Sequence, residues 1–269
     1  MKRHLLGVAR AAGMLRSGDL ALRMCRKLAA YNRNRAFVLA HPEFATPPDD
    51  LMFDVCNHVD YELYREVGRR HAELFARVIR ESGIQLPISI LEWGCGPGRV
   101  IRHMRDCFLA HEATLTGSDV NARSIAWCAE NIPNVDFAVN GFMPPLPFAD
   151  DTFDAAYSYS VFTHLAEPAQ RAWTRELLRV LKPGGLLICT TQGDHYRERL
   201  AHRGETARYR QGQMVIQDGY EEGKKWFLAL HPPSYVREQL LVEFADVRAI
   251  EVPLESLLEQ DLWSASKPA

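Results

Sequence analysis

The chain has 269 residues, 47% of them hydrophobic and 25% charged, with a formal net charge of −2. This is the size and composition of a globular protein with one large α/β domain, or a domain with an appendage. The near-balance of charge excludes bulk electrostatic binding of polyanions, and no apolar run is long enough to span a bilayer. The six cysteines (Cys25, Cys56, Cys95, Cys107, Cys128, Cys189) show no C-x-x-C spacing. They read as reduced residues of a cytoplasmic protein, with neither a disulfide frame nor a metal site.

Residues 1–45 read as a basic helical extension. Lys2, Arg3, Arg10, Arg16, Arg23, Arg26, Lys27, Arg33 and Arg35 meet one acid, Asp19, and leucines interleave with them. One or two amphipathic helices are expected here. Three uses fit: a solvated basic helix packed on the domain or a second subunit, contact with an acidic membrane surface or partner, and an organelle transit peptide. Pro42 to Pro48 reads as a linker. Residues 46–86 then form a helical cap, whose main helix, Tyr61 to Ser82, repeats Leu63, Val67, His71, Leu74, Phe75, Val78 and Ile79 on one side.

Residues 87–269 read as one α/β domain. Ile88 to Trp93 is an apolar strand with Glu92 near its end, and Gly94, Cys95, Gly96, Pro97 and Gly98 follow at once. Glycine permits both a tight turn and close approach of a ligand to bare backbone, and the helix N-terminus behind it offers unpaired N–H groups. The spacing is G-x-G-x-G, whereas a dinucleotide fingerprint runs G-x-G-x-x-G. A helix over Val100 to Phe108 leads to a second strand, Ala113 to Ser118, with Asp119 and Val120 at its end. Asp119 has two readings: a cap for the helix beginning near Asn121, or an acceptor for two vicinal hydroxyls. A third strand, Val135 to Val139, precedes Asn140, Gly141 and Phe142, and Phe142 is either core or part of a site. Leu146-Pro147-Phe148 and a fourth strand over Phe153 to Ser158 follow. Helix, Lys182-Pro183-Gly184-Gly185 turn and fifth strand come next.

Residues 192–234 exceed a plain strand-to-helix connection. They hold Asp194-His195, an Arg-rich helix (Arg197, Arg199, Arg203, Arg208, Arg210) and a hairpin of Gln213 to Gln217 and Trp226 to Leu230 around Asp218 to Gly223. A helix from Tyr235 to Phe244 and strands over Val247 to Val252 and Leu262 to Ser266 complete the chain.

From Ile88 to Thr191 the ordered set of motifs resembles the class I S-adenosylmethionine-dependent methyltransferases: Glu92 with the three glycines, Asp119, the "LPF…FD" region and "LKPGG". The resemblance implies a Rossmann-like, doubly wound, seven-stranded, mostly parallel sheet with the last strand antiparallel. It implies S-adenosylmethionine as cofactor and S-adenosylhomocysteine as product. By the same resemblance Glu92 helps to hold the methionine ammonium, and Gly94, Cys95, Gly96 and Gly98 line the methionine part. Asp119 and Val120 face the ribose, and Asn140, Gly141 and Phe142 face the adenine. Asn140 stands where many members carry Asp. Asp60, Tyr61, Tyr64 and Arg65 are candidates for a lid over the site.

In open α/β sheets ligands sit beyond the carboxyl ends of the strands, which places Ser158 and His164 near the transferred methyl. His164 resembles a family element that packs near the cofactor, and it is also a candidate base. His195 and His231 are the leading candidate bases, and the 192–234 insertion is the expected acceptor side. The expected function is methyl transfer to a small-molecule or glycan-type acceptor, with oxygen favoured. The alternative is an inactive cofactor-binding partner or regulatory subunit. No nucleic-acid acceptor is expected, because no Asn-Pro-Pro-Tyr or Asp-Pro-Pro-Tyr element follows the fourth strand.

Overall fold

The computed structural model describes residues 14–109, 111–200, 203–217 and 221–269. They fall into two compact units, within 1–66 and 67–269, divided inside one helix. The first unit holds α1 (Met14–Ala40), α2 (Asp49–Cys56) and the start of α3 (Tyr61–Glu81). A single long helix thus stands where one or two were expected, and the calls on residues 1–13 lie outside the described residues. Polar side chains anchor one face of α1. Asn34 donates to the Val59 carbonyl at 2.6 Å and accepts the Tyr61 N–H at 3.1 Å. Lys27 pairs with Asp49 at 2.5 Å and Arg33 with Asp60 at 3.0 Å. Phe37 packs edge-on against Phe44 and Tyr61. The four lid candidates belong to this unit, where Asp60 receives Arg33 and the Tyr61 hydroxyl donates to Asp49.

The second unit is built on a seven-stranded sheet. Its strands are β1 (Ile88–Trp93), β2 (Ala113–Asp119), β3 (Asp136–Val139), β4 (Phe153–Ser158), β5 (Leu181–Thr191), β8 (Ala245–Ile250) and β9 (Asp261–Ser266). The spatial order is β3-β2-β1-β4-β5-β9-β8. All pairs from β3 to β5 are parallel, and β9 runs antiparallel between β5 and β8. This is the fold class expected from the sequence. Both faces of the central strands are buried, which is why β1, β4 and β5 read as nearly continuous apolar runs. The order reverses between β1 and β4, and a parallel α/β sheet opens its ligand crevice at that switch point.

Several local calls differ. The helix after the glycine turn is short, α4 (Ile101–Met104), and tightens into a 3-10 turn over Arg105–Cys107. Asn121, not Asp119, caps α5 (Ala122–Asn131), its side chain accepting the N–H groups of Arg123 and Ser124. Leu63 stays exposed on α3, whereas Leu74, Phe75, Val78 and Ile79 are buried. Lys182 to Gly185 lie within β5, and a register shift between Phe153 and Ala155 accommodates them beside β4. The helix expected from Tyr235 is one short turn and a π-helical segment, Val236–Leu240. Of the cysteines, Cys95, Cys128 and Cys189 are buried, Cys25 is exposed, and none is paired.

The α6 helix (Glu167–Val180) explains the Leu146-Pro147-Phe148 motif. Glu176 accepts the Leu146 N–H at 2.7 Å and pairs with Arg179 at 2.6 Å. Arg179 also donates to the Phe148 carbonyl at 2.9 Å. The loop after β3 is thereby pinned to a helix two strands away.

Candidate functional site

The glycine turn folds over the end of β2. The N–H groups of Gly94 and Cys95 both donate to the Ser118 carbonyl, at 2.7 and 2.9 Å. All three glycines take positive φ, at 78°, 51° and 70°. A side chain at Gly94 would meet Val161, and one at Gly98 would meet Ile132 and Cys128. Only glycine combines that backbone with that crowding. Cys95 and Cys128 are thiols packed under the turn, and the Cys128 thiol lies 3.6 Å from the Gly96 carbonyl.

Asp119 stands at the end of β2 and braces the turn. One carboxylate oxygen accepts the Gly96 N–H at 2.8 Å, and the other accepts the Asn121 N–H at 2.7 Å. Burial raises its pKa, and the backbone N–H groups of Asn121, Gly96 and Val120 oppose that rise. A carboxylate offers about four acceptor sites, so Asp119 keeps capacity for a ligand hydroxyl beyond these backbone donors. Val120 beside it is exposed.

Glu92 lies beneath, 2% exposed. It accepts the Tyr157 hydroxyl at 2.9 Å. Burial pushes its pKa up to about 8 against the counter-pull of Tyr157, Arg99 and the Ile101 N–H. Above the crevice, the Arg99 guanidinium stacks over Tyr159 at 4.7 Å, and the His71 ring lies 4.7 Å from the same tyrosine. Helix α3 comes this close because residue 68 is glycine: a Cβ there would run into the carbonyl oxygen of Arg99. Mid-helix Gly→Ala usually stabilises by about 1 kcal/mol. Here Gly68→Ala is expected to reverse that sign and cost about 1–3 kcal/mol, measured by denaturant unfolding.

Three buried polar atoms around the crevice have no partner: Ser118 Oγ, Asn140 Oδ1 and Ser158 Oγ, at the ends of β2, β3 and β4. Orphaned acceptors and hydroxyls of this kind mark a place where a polar ligand completes the bonding. The Asn140 amide nitrogen is already committed to the Gly141 carbonyl at 2.7 Å, so its oxygen is the open group, suited to an exocyclic amine. A Cβ on Gly141 would press on the Met143 carbonyl oxygen. Phe142 is 40% exposed, so it is not a core residue; its carbonyl accepts the Trp173 indole at 2.9 Å, and its ring covers Gly223.

The insertion carries a two-stranded hairpin, β6 (Val215–Gln217) and β7 (Leu228–Leu230), preceded by α7 (Arg203–Arg210). The turn residues 218–220 lie outside the described residues. The hairpin is fastened through His164. Its Nδ1 lies 2.8 Å from the Phe227 carbonyl, and its own carbonyl accepts the Gly223 N–H at 2.9 Å. Glu222 adds a bond to the Ala166 N–H at 2.6 Å. Burial lowers the His164 pKa.

The three histidines have separate surroundings. His231, expected at the mouth of the site, is fully buried, its Nε2 2.8 Å from Gln170 Nε2, and burial pulls its pKa down to about 3. An imidazole so desolvated resists protonation. His195 is exposed, just past the carboxyl end of β5. Asp194 does not serve as its orienting partner but accepts the Tyr209 hydroxyl at 3.2 Å. The acid that feels His195 is Asp261 at the start of β9; burial raises the Asp261 pKa, and His195 works against that rise. Sequence reasoning missed Tyr157, Gln170, Glu222 and Asp261. Tyr157 and Asp261 were placed on or beside strands, but the partner of Tyr157 comes from β1 and that of Asp261 from the turn after β5, which left no local signal.

Residues 90–185 match the family model described as "Methyltransferase domain". The phthiotriol/phenolphthiotriol dimycocerosates methyltransferase 1 of Mycobacterium ulcerans is 32% identical over 149 residues, covering 54% of this chain and 49% of that protein. The malonyl-(acyl-carrier protein) O-methyltransferase of Hahella chejuensis is 31% identical over 132 residues, covering 49% and 45%. The chain thus spans about half the length of the curated relatives it matches. In fold it is similar to a solved amino pentose methyltransferase from Micromonospora echinaspora with S-adenosylmethionine bound. The TM-score is 0.53 at 16% identity, over 74% of this chain and 91% of that one.

Proposed function

We propose that this chain, whose residues 90–185 match the methyltransferase domain model, is a class I S-adenosylmethionine-dependent methyltransferase that transfers a methyl group to an oxygen of a small-molecule or glycan-type acceptor. The observation that carries the reading is the crevice at the β1–β4 switch. There the glycine turn, the braced carboxylate of Asp119 and three unpartnered polar atoms stand at the carboxyl ends of β1, β2, β3 and β4. Each fits a part of the cofactor. Asp119 would hold the ribose and Asn140 Oδ1 the adenine amine, with Gly141 and Phe142 beside it. Gly94 to Gly98 would admit the methionine part, and Glu92 below the turn would balance the ammonium. When bound, S-adenosylmethionine supplies an electrophilic methyl on a sulfonium.

This chain's residues then have three tasks: to orient the acceptor, to exclude water and to accept the acceptor's proton. Alignment can supply up to about 7–11 kcal/mol of the barrier in favourable systems. His195 is the candidate for the proton, because its ring is exposed beside the strand ends. The acceptor hydroxyl would lose its proton to His195 as the new carbon–oxygen bond forms. His164 and His231 hold the insertion in place, and residues 192–234 form the acceptor side. The malonyl-(acyl-carrier protein) relative is named as an O-methyltransferase, which supports oxygen as the target. Other relatives are named as a phthiotriol/phenolphthiotriol dimycocerosates methyltransferase and a cycloartenol-C-24-methyltransferase, so lipid acceptors belong in the test.

The test is incubation with radiolabelled methyl donor and fractionated metabolite, lipid and glycan extracts. Label is expected in one acceptor fraction. His195→Ala should cut turnover by about 10²–10⁴-fold with the dissociation constant for S-adenosylhomocysteine unchanged. Cofactor binding without label in any fraction would instead support the inactive-partner reading.

A further inference from the structure

Helix α1 has one face anchored and one face bare. Its anchored face carries Ala30, Asn34 and Phe37, which are buried, together with the paired Lys27 and Arg33. The bare face carries Leu20, Met24, Leu28, Tyr31, Val38 and Leu39, all between 49% and 76% exposed. On a helix turning 3.6 residues per turn, these six fall within a sector of about 100° and run about 28 Å along the axis. Scattered exposed leucines need no explanation, but a continuous exposed sector does.

Charge decides what covers it. Between Leu20 and Ala40 there are five cations and no acid. Lys27 and Arg33 are neutralised by Asp49 and Asp60, and Arg26 donates only to the neutral carbonyl of Asn57. At about 100° per residue Arg35 falls within this sector, whereas Arg23 and Arg26 fall on the side of the anchored face. Residues 1–40 hold nine cations against Asp19, in a chain whose total is −2. Pairing with a second copy would set the same cations against one another with no acid to relieve them, which disfavours a coiled pair. An exposed apolar sector with Arg35 and Tyr31 within it, on a segment with so large an excess of cations, matches a helix lying in the boundary between lipid headgroups and acyl chains.

We propose that α1 seats this protein on an anionic phospholipid surface, with Leu20, Met24, Leu28, Tyr31, Val38 and Leu39 entering the lipid and the Arg35 guanidinium reaching up to the headgroups. The inference does not depend on the methyl acceptor. It is tested by co-sedimentation of the full chain with phosphatidylglycerol/phosphatidylcholine vesicles and with phosphatidylcholine vesicles alone. Binding is expected to the anionic vesicles, to weaken in high salt, and to fall roughly tenfold or more in Leu28→Glu/Leu39→Glu. Both side chains are more than 70% exposed, so the variant should keep the parent melting temperature. Three results would overturn the proposal. They are no binding to anionic vesicles, equal binding by parent and folded variant, or a dimer by light scattering that the double substitution dissolves.

Discussion

Asp119→Ala is expected to weaken binding of S-adenosylhomocysteine by about 1.5–3 kcal/mol, roughly 10- to 150-fold, read by calorimetry. Two losses combine. The carboxylate is the proposed acceptor for the ribose hydroxyls, and it also receives the Gly96 N–H at 2.8 Å. Without it, the turn loses the side chain that fixes a backbone already held at positive φ. Asp119→Asn separates the two contributions. It keeps one acceptor oxygen, so it can still brace either Gly96 or Asn121 but not both, and its loss should be the smaller of the two. An unchanged dissociation constant for the alanine variant would remove Asp119 from the site.

Glu92→Gln should move stability and function in opposite directions. The Glu92 pKa rises from 4.5 to about 8 on folding, because burial penalises its charge. The folded state therefore binds more protons than the unfolded state across that window. Stability contributed by this group is greatest at low pH and declines as pH rises from about 4.5 through 8. Glutamine keeps an acceptor for the Tyr157 hydroxyl but carries no charge. At pH 8 the variant should be more stable than the parent by about 1–3 kcal/mol in denaturant unfolding, and no more stable at pH 5. If the anion is what balances the methionine ammonium, affinity for the cofactor should fall about tenfold. Equal stability at pH 8 would show that Glu92 is ionised without penalty in the folded chain.

The parts of the site legible in the sequence are those written in backbone terms. Gly94, Gly96 and Gly98 announce left-handed conformations wherever they occur, and Asp119 and Asn140 were found because strand ends are visible as the point where an apolar run stops. The 192–234 hairpin was legible for the same reason, since two short apolar runs flank a turn-rich stretch. The histidines were not. His195 lies in a polar, charged stretch and His231 between an apolar run and two prolines, yet both lie in the loop-rich insertion; Gln170 of α6 and the core around it bury His231, whereas His195 stays in solvent. Burial is a tertiary property, and no spacing rule reports it. The choice between Asp119 and Asn121 as helix cap was equally closed to sequence, because both residues can cap and only the path of the backbone separates them.

The place of β9 has a consequence for how the protein is made. It lies between β5 and β8, so a nascent chain synthesised only to residue 250 has an open edge on β5 and no neighbour for β8. Unpaired edges of that kind recruit other chains. The same late segment delivers Gln260, which bonds Thr190 and Ser160 beside the crevice, and Asp261, which faces His195. Ribosome-bound intermediates should therefore bind chaperones until residues 260–266 emerge, and sheet closure and maturation of the crevice become a single event once that segment is made.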